Sequence, residues 1–194
     1  MEELKQRIRK VLEGRSPKKV KERGGLVRAA VLVPLFYEAR SPHVLFIKRT
    51  ETVTHHKGEI SFPGGTRDPE DEDLLRTALR ETHEEIGVRP EDVEVVGELD
   101  EIVTMSDFLV TPFVGFIPYP YPFRLNPTEI EELVPVPLEA FLWDERWWKE
   151  KRRYGKKERE VFIYQWGPHQ IWGATARIMR GFLELLFPRE SLHR

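Results

Sequence analysis

The run Ala29-Ala30-Val31-Leu32-Val33-Pro34-Leu35-Phe36 constrains the fold of this chain more than any other segment. It has the length of a strand, and both sets of alternating positions are apolar. A strand of that kind is consistent with burial on both faces of its sheet. Val44 to Ile47 gives a second apolar run, with a Ser-Pro turn expected at Ser41 and Pro42.

The remaining segments interleave helices with strands. Leu4, Ile8, Val11 and Leu12 fall at helical spacing before Gly14, which predicts an amphipathic N-terminal helix within 1–14. Arg15 to Gly25, rich in Lys and Arg, reads as a solvated connector. Ser61-Phe62-Pro63-Gly64-Gly65 breaks the strand pattern and feeds a polar loop. Asp71 to Ile86 returns to helical periodicity, with Leu74, Leu75, Ala78, Leu79, Thr82 and Ile86 on one face. Val93–Leu99, Val110–Ile117 and Val161–Trp166 read as strands, and Pro118 to Pro122 as a stiff loop. Glu139 to Trp148 is expected to form a short helix, Tyr154 to Lys157 a turn, and 171–187 a C-terminal helix stopped by Pro188. With no repeat or low-complexity tract, residues 1–194 are expected to form a single α/β domain in the form of a sandwich.

Composition removes several kinds of function. The chain has no Cys, which excludes disulfides, thiolate metal sites and cysteine nucleophiles. A net charge of -2 gives no general reason to expect nucleic acid or an anionic membrane as partner. Glu145, Glu150, Glu158 and Glu160 interleave with the basic residues between Lys149 and Arg159, so that stretch reads as a solvated hairpin. No apolar run approaches ~18 residues and no signal peptide is visible, so a cytoplasmic protein with no membrane partner is expected.

The chemistry concentrates at Arg80-Glu81-Thr82-His83-Glu84-Glu85-Ile86-Gly87-Val88. Glu81, Glu84 and Glu85 stand at i, i+3 and i+4, so at ~100° per residue they emerge within an arc of roughly 100°. Carboxylates crowded in this way repel one another unless a cation holds them, and an all-oxygen donor set suits Mg²⁺ or Mn²⁺. Arg80 can hold one of the glutamates in a bidentate pair. The glycines Gly64 and Gly65 bring backbone close to whatever lies ahead of the helix.

Gly64-Gly65, Glu72 and the segment from Arg80 to Val88 together resemble the signature of the Nudix hydrolases: Gly, five residues, Glu, seven residues, Arg-Glu-apolar-x-Glu-Glu-x-Gly-apolar. Counting back from Glu72 places the first glycine at Thr66, so the loop here is one residue longer, and Thr82 takes the apolar slot. The resemblance implies a Nudix-type α/β/α sandwich with a mixed β-sheet. It also implies Mg²⁺-dependent hydrolysis of a nucleoside diphosphate linked to another group, with Glu81, Glu84 and Glu85 as metal ligands.

A second resemblance narrows the substrate. His56-Lys57-Gly58-Glu59-Ile60-Ser61-Phe62-Pro63-Gly64-Gly65 is similar to the motif preceding the box in the coenzyme A pyrophosphatase branch. Thr111–Val114, Asn126–Ile130 and Ile171–Ala176 echo the same branch. Thr54 and Glu59 depart from it, standing where Arg and Gln are usual. This resemblance implies cleavage of coenzyme A to 4′-phosphopantetheine and 3′,5′-ADP; ADP-ribose, NADH and dinucleoside polyphosphates are the rival substrates. A nucleotide-sensing module without catalysis is a further rival, which the intact glutamates disfavour.

On this reading Glu81, Glu85, Arg80 and Glu129 are the candidate catalytic residues, with the general base left open among Glu81, Glu85 and Glu129. Gly64, Gly65, His56, Lys48 and Arg49 are the candidate substrate contacts. The five Trp residues are read as core or subunit contacts, with stacking on adenine the other role. Many Nudix proteins are dimers, and the aromatic loop Tyr119 to Phe123 is the surface that the sequence offers for a homodimer.

Overall fold

The computed structural model describes residues 2–21, 24–51, 57–142, 144–154 and 157–188. Helix α1 (Glu2–Glu13) precedes strands β1 (Val27–Glu38), β2 (Ser41–Arg49), β3 (Ile60–Ser61) and β4 (Gly64–Thr66). Helix α2 (Leu74–Ile86) follows, then β5 (Glu94–Glu98), β6 (Ile102–Val103), β7 (Phe108–Phe116) and β8 (Ile130–Pro137). The chain closes with β9 (Trp147–Tyr154), β10 (Lys157–Trp166), β11 (His169–Trp172) and α3 (Gly173–Leu186).

The larger sheet runs β3-β2-β1-β7-β5, with β4 paired to β1, β6 to β7 and β8 to β2. It is mixed: β1 and β7 are parallel from Val27↔Phe108 to Leu35↔Phe116, while the other pairs are antiparallel. A smaller sheet, β11-β10-β9, is not hydrogen-bonded to it but shares its core through Tyr164 and Ile171.

The apolar run in β1 does what its composition demands. Ala29, Val33 and Leu35 join the core shared with Ile8 and Leu12 of α1 and with Met179 and Phe182 of α3. Ala30 and Leu32, on the opposite pleat, pack with Ala78 of α2, and Phe36 joins Ile86 at the end of that helix. Helices therefore cover both faces of the sheet, giving an α/β/α sandwich. No described helix is long and apolar enough to cross a membrane.

Several elements differ from the sequence reading. The β1–β2 turn is Ala39-Arg40, both at positive φ, as a two-residue hairpin of matching twist requires. Ser41 and Pro42 lie inside β2, paired with Glu38 and Tyr37. The glycine segment is not simply loop: Gly64 to Thr66 pairs with Val31 to Ala29, because a Gly-Gly backbone can approach β1 closely. Glu139 to Trp148 divides into 3-10 turns at Leu138–Leu142 and Asp144–Arg146 before β9 begins at Trp147. The final helix starts at Gly173 rather than residue 171, because Ile171 and Trp172 pair with Tyr164 and Ile163 as a strand. The connector is pinned rather than free: Arg15 pairs with Asp100, and the Lys18 and Val20 amides donate to Asp100 and Glu101 at 2.9 Å each.

The basic stretch is the expected hairpin, β9–β10, and Lys149 pairs with Glu160 at 2.9 Å. The expected turn at Gly155-Lys156 lies outside the described residues. In the aromatic loop, Tyr121 and Phe123 pack against their own core, leaving Tyr119 as the exposed ring.

Candidate active site

Helix α2 is bounded by its own residues. Asp73 caps the start by accepting from the Arg76 amide at 2.8 Å, and Gly87 ends it at φ 75°, donating to the His83 carbonyl. The last turn also receives the loop that follows β7: the Arg124 and Asn126 amides donate to the Ile86 and Glu85 carbonyls at 3.0 and 2.9 Å. The groups that a helix end leaves unpaired thus fix the loop, and with it Glu129.

Glu85 is almost wholly buried, at 1% exposure. Its carboxylate accepts from Arg49 Nη1 at 2.7 Å and from the Gly64 amide at 3.0 Å. Burial nevertheless pushes its pKa up to about 7, outweighing Arg49 and the amide, with Glu81 adding to the rise. Glu81 is shifted in the same direction, first by burial and against the pull of Arg80. The ring of partners is short of positive charge, which is the condition a bound cation would relieve.

Gly65 makes room for this pair. A Cβ there would stand 2.4 Å from Cδ of Glu81, so any other residue would occupy the carboxylate's place. Gly64 sits at φ 150° with the Ala30 carbonyl 2.3 Å from where its Cβ would be. Both glycines, Glu81, Glu85, Arg49 and Glu129 line one pocket of about 880 Å³, at the upper end for small-molecule sites.

Arg49 reaches the pocket through strand alternation. Leu45 and Ile47 point to the α2 side of the sheet, and Arg49 continues that series. Its guanidinium joins the helix to the loop, donating to Glu85 and, at 3.3 Å, to Glu129. Lys48 points the other way: it pairs with Glu131 at 2.7 Å and is not among the pocket's lining residues. Lys48, expected among the substrate contacts, is therefore not brought to the pocket that holds Glu81 and Glu85. His56 lies outside the described residues, as do His55 and Thr54.

Glu84 separates from its neighbours. Glu81 stands between the other two around the helix, so Glu85 turns toward the core and Glu84 toward solvent, with its side chain 53% exposed. Arg80 Nη1 donates to Glu84 at 3.1 Å and to Glu81 at 2.9 Å. Among the described residues no group of three His, Asp or Glu side chains is assembled as a cation cage. The donor chemistry still fits a hard cation: Glu81 and Glu85 are two under-compensated carboxylates facing a common pocket.

The bidentate partner of Arg80 is not one of the glutamates but Asp71, which sequence reasoning missed. Arg80 Nε and Nη2 donate to the two Asp71 oxygens at 3.0 Å each, and Thr77 Oγ1 donates to the same carboxylate at 2.8 Å. Glu72, aligned with the box by counting, is exposed and only 4.0 Å from Arg76. The spacing held the signal: five residues separate Gly65 from Asp71, so the additional residue falls after the acid and not in the loop.

Loop residue Glu129 is built by Asn126. The Asn126 side chain accepts from the Thr128 amide and hydroxyl at 3.2 and 2.7 Å and donates to Glu129 Oε1 at 3.1 Å. Strand β8 follows directly, so Glu129 does not begin a helix.

The NUDIX domain family model matches residues 26–157. The uncharacterized Nudix hydrolase NudL of Photorhabdus laumondii is 37% identical over 152 residues, covering 78% of this chain and 80% of its own. The protein of the same description from Yersinia enterocolitica is 37% identical over 153 residues, covering 78% and 77%. Among solved structures, a NUDIX hydrolase from Alicyclobacillus acidocaldarius superposes with a TM-score of 0.54 at 18% identity, covering 87% of this chain and 96% of that one. A C. elegans Ap4A hydrolase gives 0.50 at 22% identity, over 60% and 84%. These two likenesses concern the fold, whereas the family model and the NudL relatives concern descent: the chain belongs to the Nudix family and is a hydrolase of pyrophosphate bonds.

Proposed function

We propose that the protein hydrolyses the diphosphate of coenzyme A, releasing 3′,5′-ADP and 4′-phosphopantetheine, with Mg²⁺ or Mn²⁺ as cofactor. The observation that carries the hydrolytic part is the buried, under-compensated pair Glu81 and Glu85 beside a two-glycine backbone in one pocket. The substrate rests on the segment leading into Gly64-Gly65, which resembles the coenzyme A branch.

Glu81 and Glu85 would hold the cation, and Glu84 would join them by leaving Arg80. When bound, the cation neutralises charge on the phosphoryl oxygens. Water adds to one phosphorus, the bridging P–O bond breaks, and the displaced phosphate takes the electron pair. Glu129 accepts the proton of that water. Its carboxylate is half-buried at the pocket's edge, within reach of solvent, whereas Glu85 is almost wholly buried and would be committed to the cation. Arg49 keeps Glu85 and Glu129 at a fixed separation, and Arg80 keeps Glu81 from collapsing onto its neighbours. The protein is expected to act in the cytoplasm on a small-molecule nucleotide, without nucleic acid.

Incubation with coenzyme A, ADP-ribose, NADH and diadenosine tetraphosphate, each with Mg²⁺ or Mn²⁺, tests the substrate by product identity. The expected result is 3′,5′-ADP from coenzyme A at the highest kcat/KM. Turnover of ADP-ribose with coenzyme A left intact would contradict it.

A further inference from the structure

Part of the lining of the pocket that holds the glutamates is basic and unexplained by diphosphate cleavage. Arg152 of β9, Arg159 of β10 and Arg177 of α3 line the same pocket as Glu81 and Glu85, together with Arg153, Phe162 and Trp172. Arg152 and Arg159 are direct cross-strand partners, so two like charges stand side by side on one face of the hairpin. Like charges directly opposite are destabilising, and Glu150 compensates only one of the two, Arg152. Among the described residues Arg159 and Arg177 have no ion-pair partner. Arg152 is aimed: its Nε bonds Glu150, its Nη2 donates to Gln170 at 3.3 Å, and its guanidinium lies 4.4 Å over the Trp172 ring. Of the two acidic residues flanking Arg159, Glu160 is paired with Lys149, and Glu158 lies 3.9 Å from both Lys151 and Arg153.

We propose that this arginine wall is a second anion subsite, binding a phosphate group of the substrate outside the diphosphate that is cleaved. Planar guanidinium groups on β9, β10 and α3 suit the three oxygens of a terminal phosphate. The group is carried either on the nucleotide's ribose or on a longer phosphate chain. The inference rests on the nucleotide diphosphatase reading and adds the substrate class: nucleotides bearing one more phosphate monoester or a longer chain.

Calorimetric binding of 3′,5′-ADP, adenosine 5′-tetraphosphate and 5′-AMP, each with Mg²⁺, tests it without needing turnover. The wild type should bind 3′,5′-ADP or the tetraphosphate at least roughly tenfold more tightly than 5′-AMP. The variant Arg159→Gln/Arg177→Gln should lose that preference, while Lys151→Gln, on the same hairpin but not lining the pocket, should keep it. A preference for 3′,5′-ADP places the phosphate on the ribose, and a preference for the tetraphosphate alone places it on the chain. Equal affinity for all three ligands in the wild type, or a preference that survives in the double variant, overturns the subsite. If the preference is present and lost as expected but coenzyme A is not cleaved, the subsite stands and the coenzyme A reading falls. If coenzyme A is cleaved without such a preference, the reverse holds.

Discussion

Adjacent glycines in this site have different tasks, and a methyl group distinguishes them. At Gly64 a Cβ meets backbone, the Ala30 carbonyl, at a φ that side chains rarely adopt. Gly64→Ala is therefore expected to lower stability by about 3 kcal/mol, measured by denaturant unfolding. At Gly65 the obstacle is the Glu81 carboxylate, which can swing away. Gly65→Ala should keep its stability within about 1 kcal/mol yet lose roughly 100-fold in kcat, because a displaced ligand no longer meets the substrate. Asp71 calls for a different measurement. The Arg80 guanidinium holds its carboxyl well below the usual aspartate range, so its charged form is the one that stabilises the fold. That contribution is complete above the ordinary value near 3.8 and is lost as pH falls through the lower folded value. Asp71→Asn should lower stability at pH 7 by about 2 kcal/mol and flatten the decline in stability on acidification below pH ~4. An unchanged acid profile would show that Asp71 contributes nothing through its charge.

Elements carry the site by what their ends leave unpaired. The carbonyls in the last turn of α2 seat the loop through Arg124 and Asn126, and Asn126 then shapes the turn that presents Glu129. Asn126→Ala removes the side-chain bonds to Thr128 and Glu129 while leaving the backbone bond to Glu85 in place. The expected outcome is a fall in kcat of roughly tenfold with KM and thermal unfolding little changed, readable in steady-state kinetics. Helix α2 itself was legible in the sequence from its periodicity and its Gly87 stop, but its start was not: the reading began at Asp71, whereas the Asp73 cap starts the helix at Leu74. Strand β8 was not, because its alternation is interrupted by Pro135 and Pro137 and its pairing partner β2 lies far away in sequence. The division of Lys48 from Arg49 was equally hidden: two adjacent basic residues look alike until the pleat sends one to Glu131 and the other to Glu85.

At the scale of the molecule, the apolar strand β1 demanded cover on both faces, and the interleaving of helices with strands, together with the Nudix resemblance, pointed to the sandwich that supplies it. The candidate site was legible where chemistry is local, in Glu81, Glu85 and the two glycines on neighbouring elements. It was not legible where tertiary pairing decides. Asp71 was displaced by a one-residue count, Glu84 turned to solvent, and the basic hairpin took a place in the pocket that its mixed charge gave no reason to expect. The central claim is that Glu81 and Glu85 hold a divalent cation that Glu129 does not. Titration of Mn²⁺ into the protein, followed by electron paramagnetic resonance, tests it most directly when combined with kcat. The wild type and Glu129→Gln should bind Mn²⁺ alike, with kcat of Glu129→Gln reduced by roughly 100-fold or more, whereas Glu81→Gln/Glu85→Gln should lose both binding and turnover. Mn²⁺ binding undiminished in the folded double variant would contradict the account.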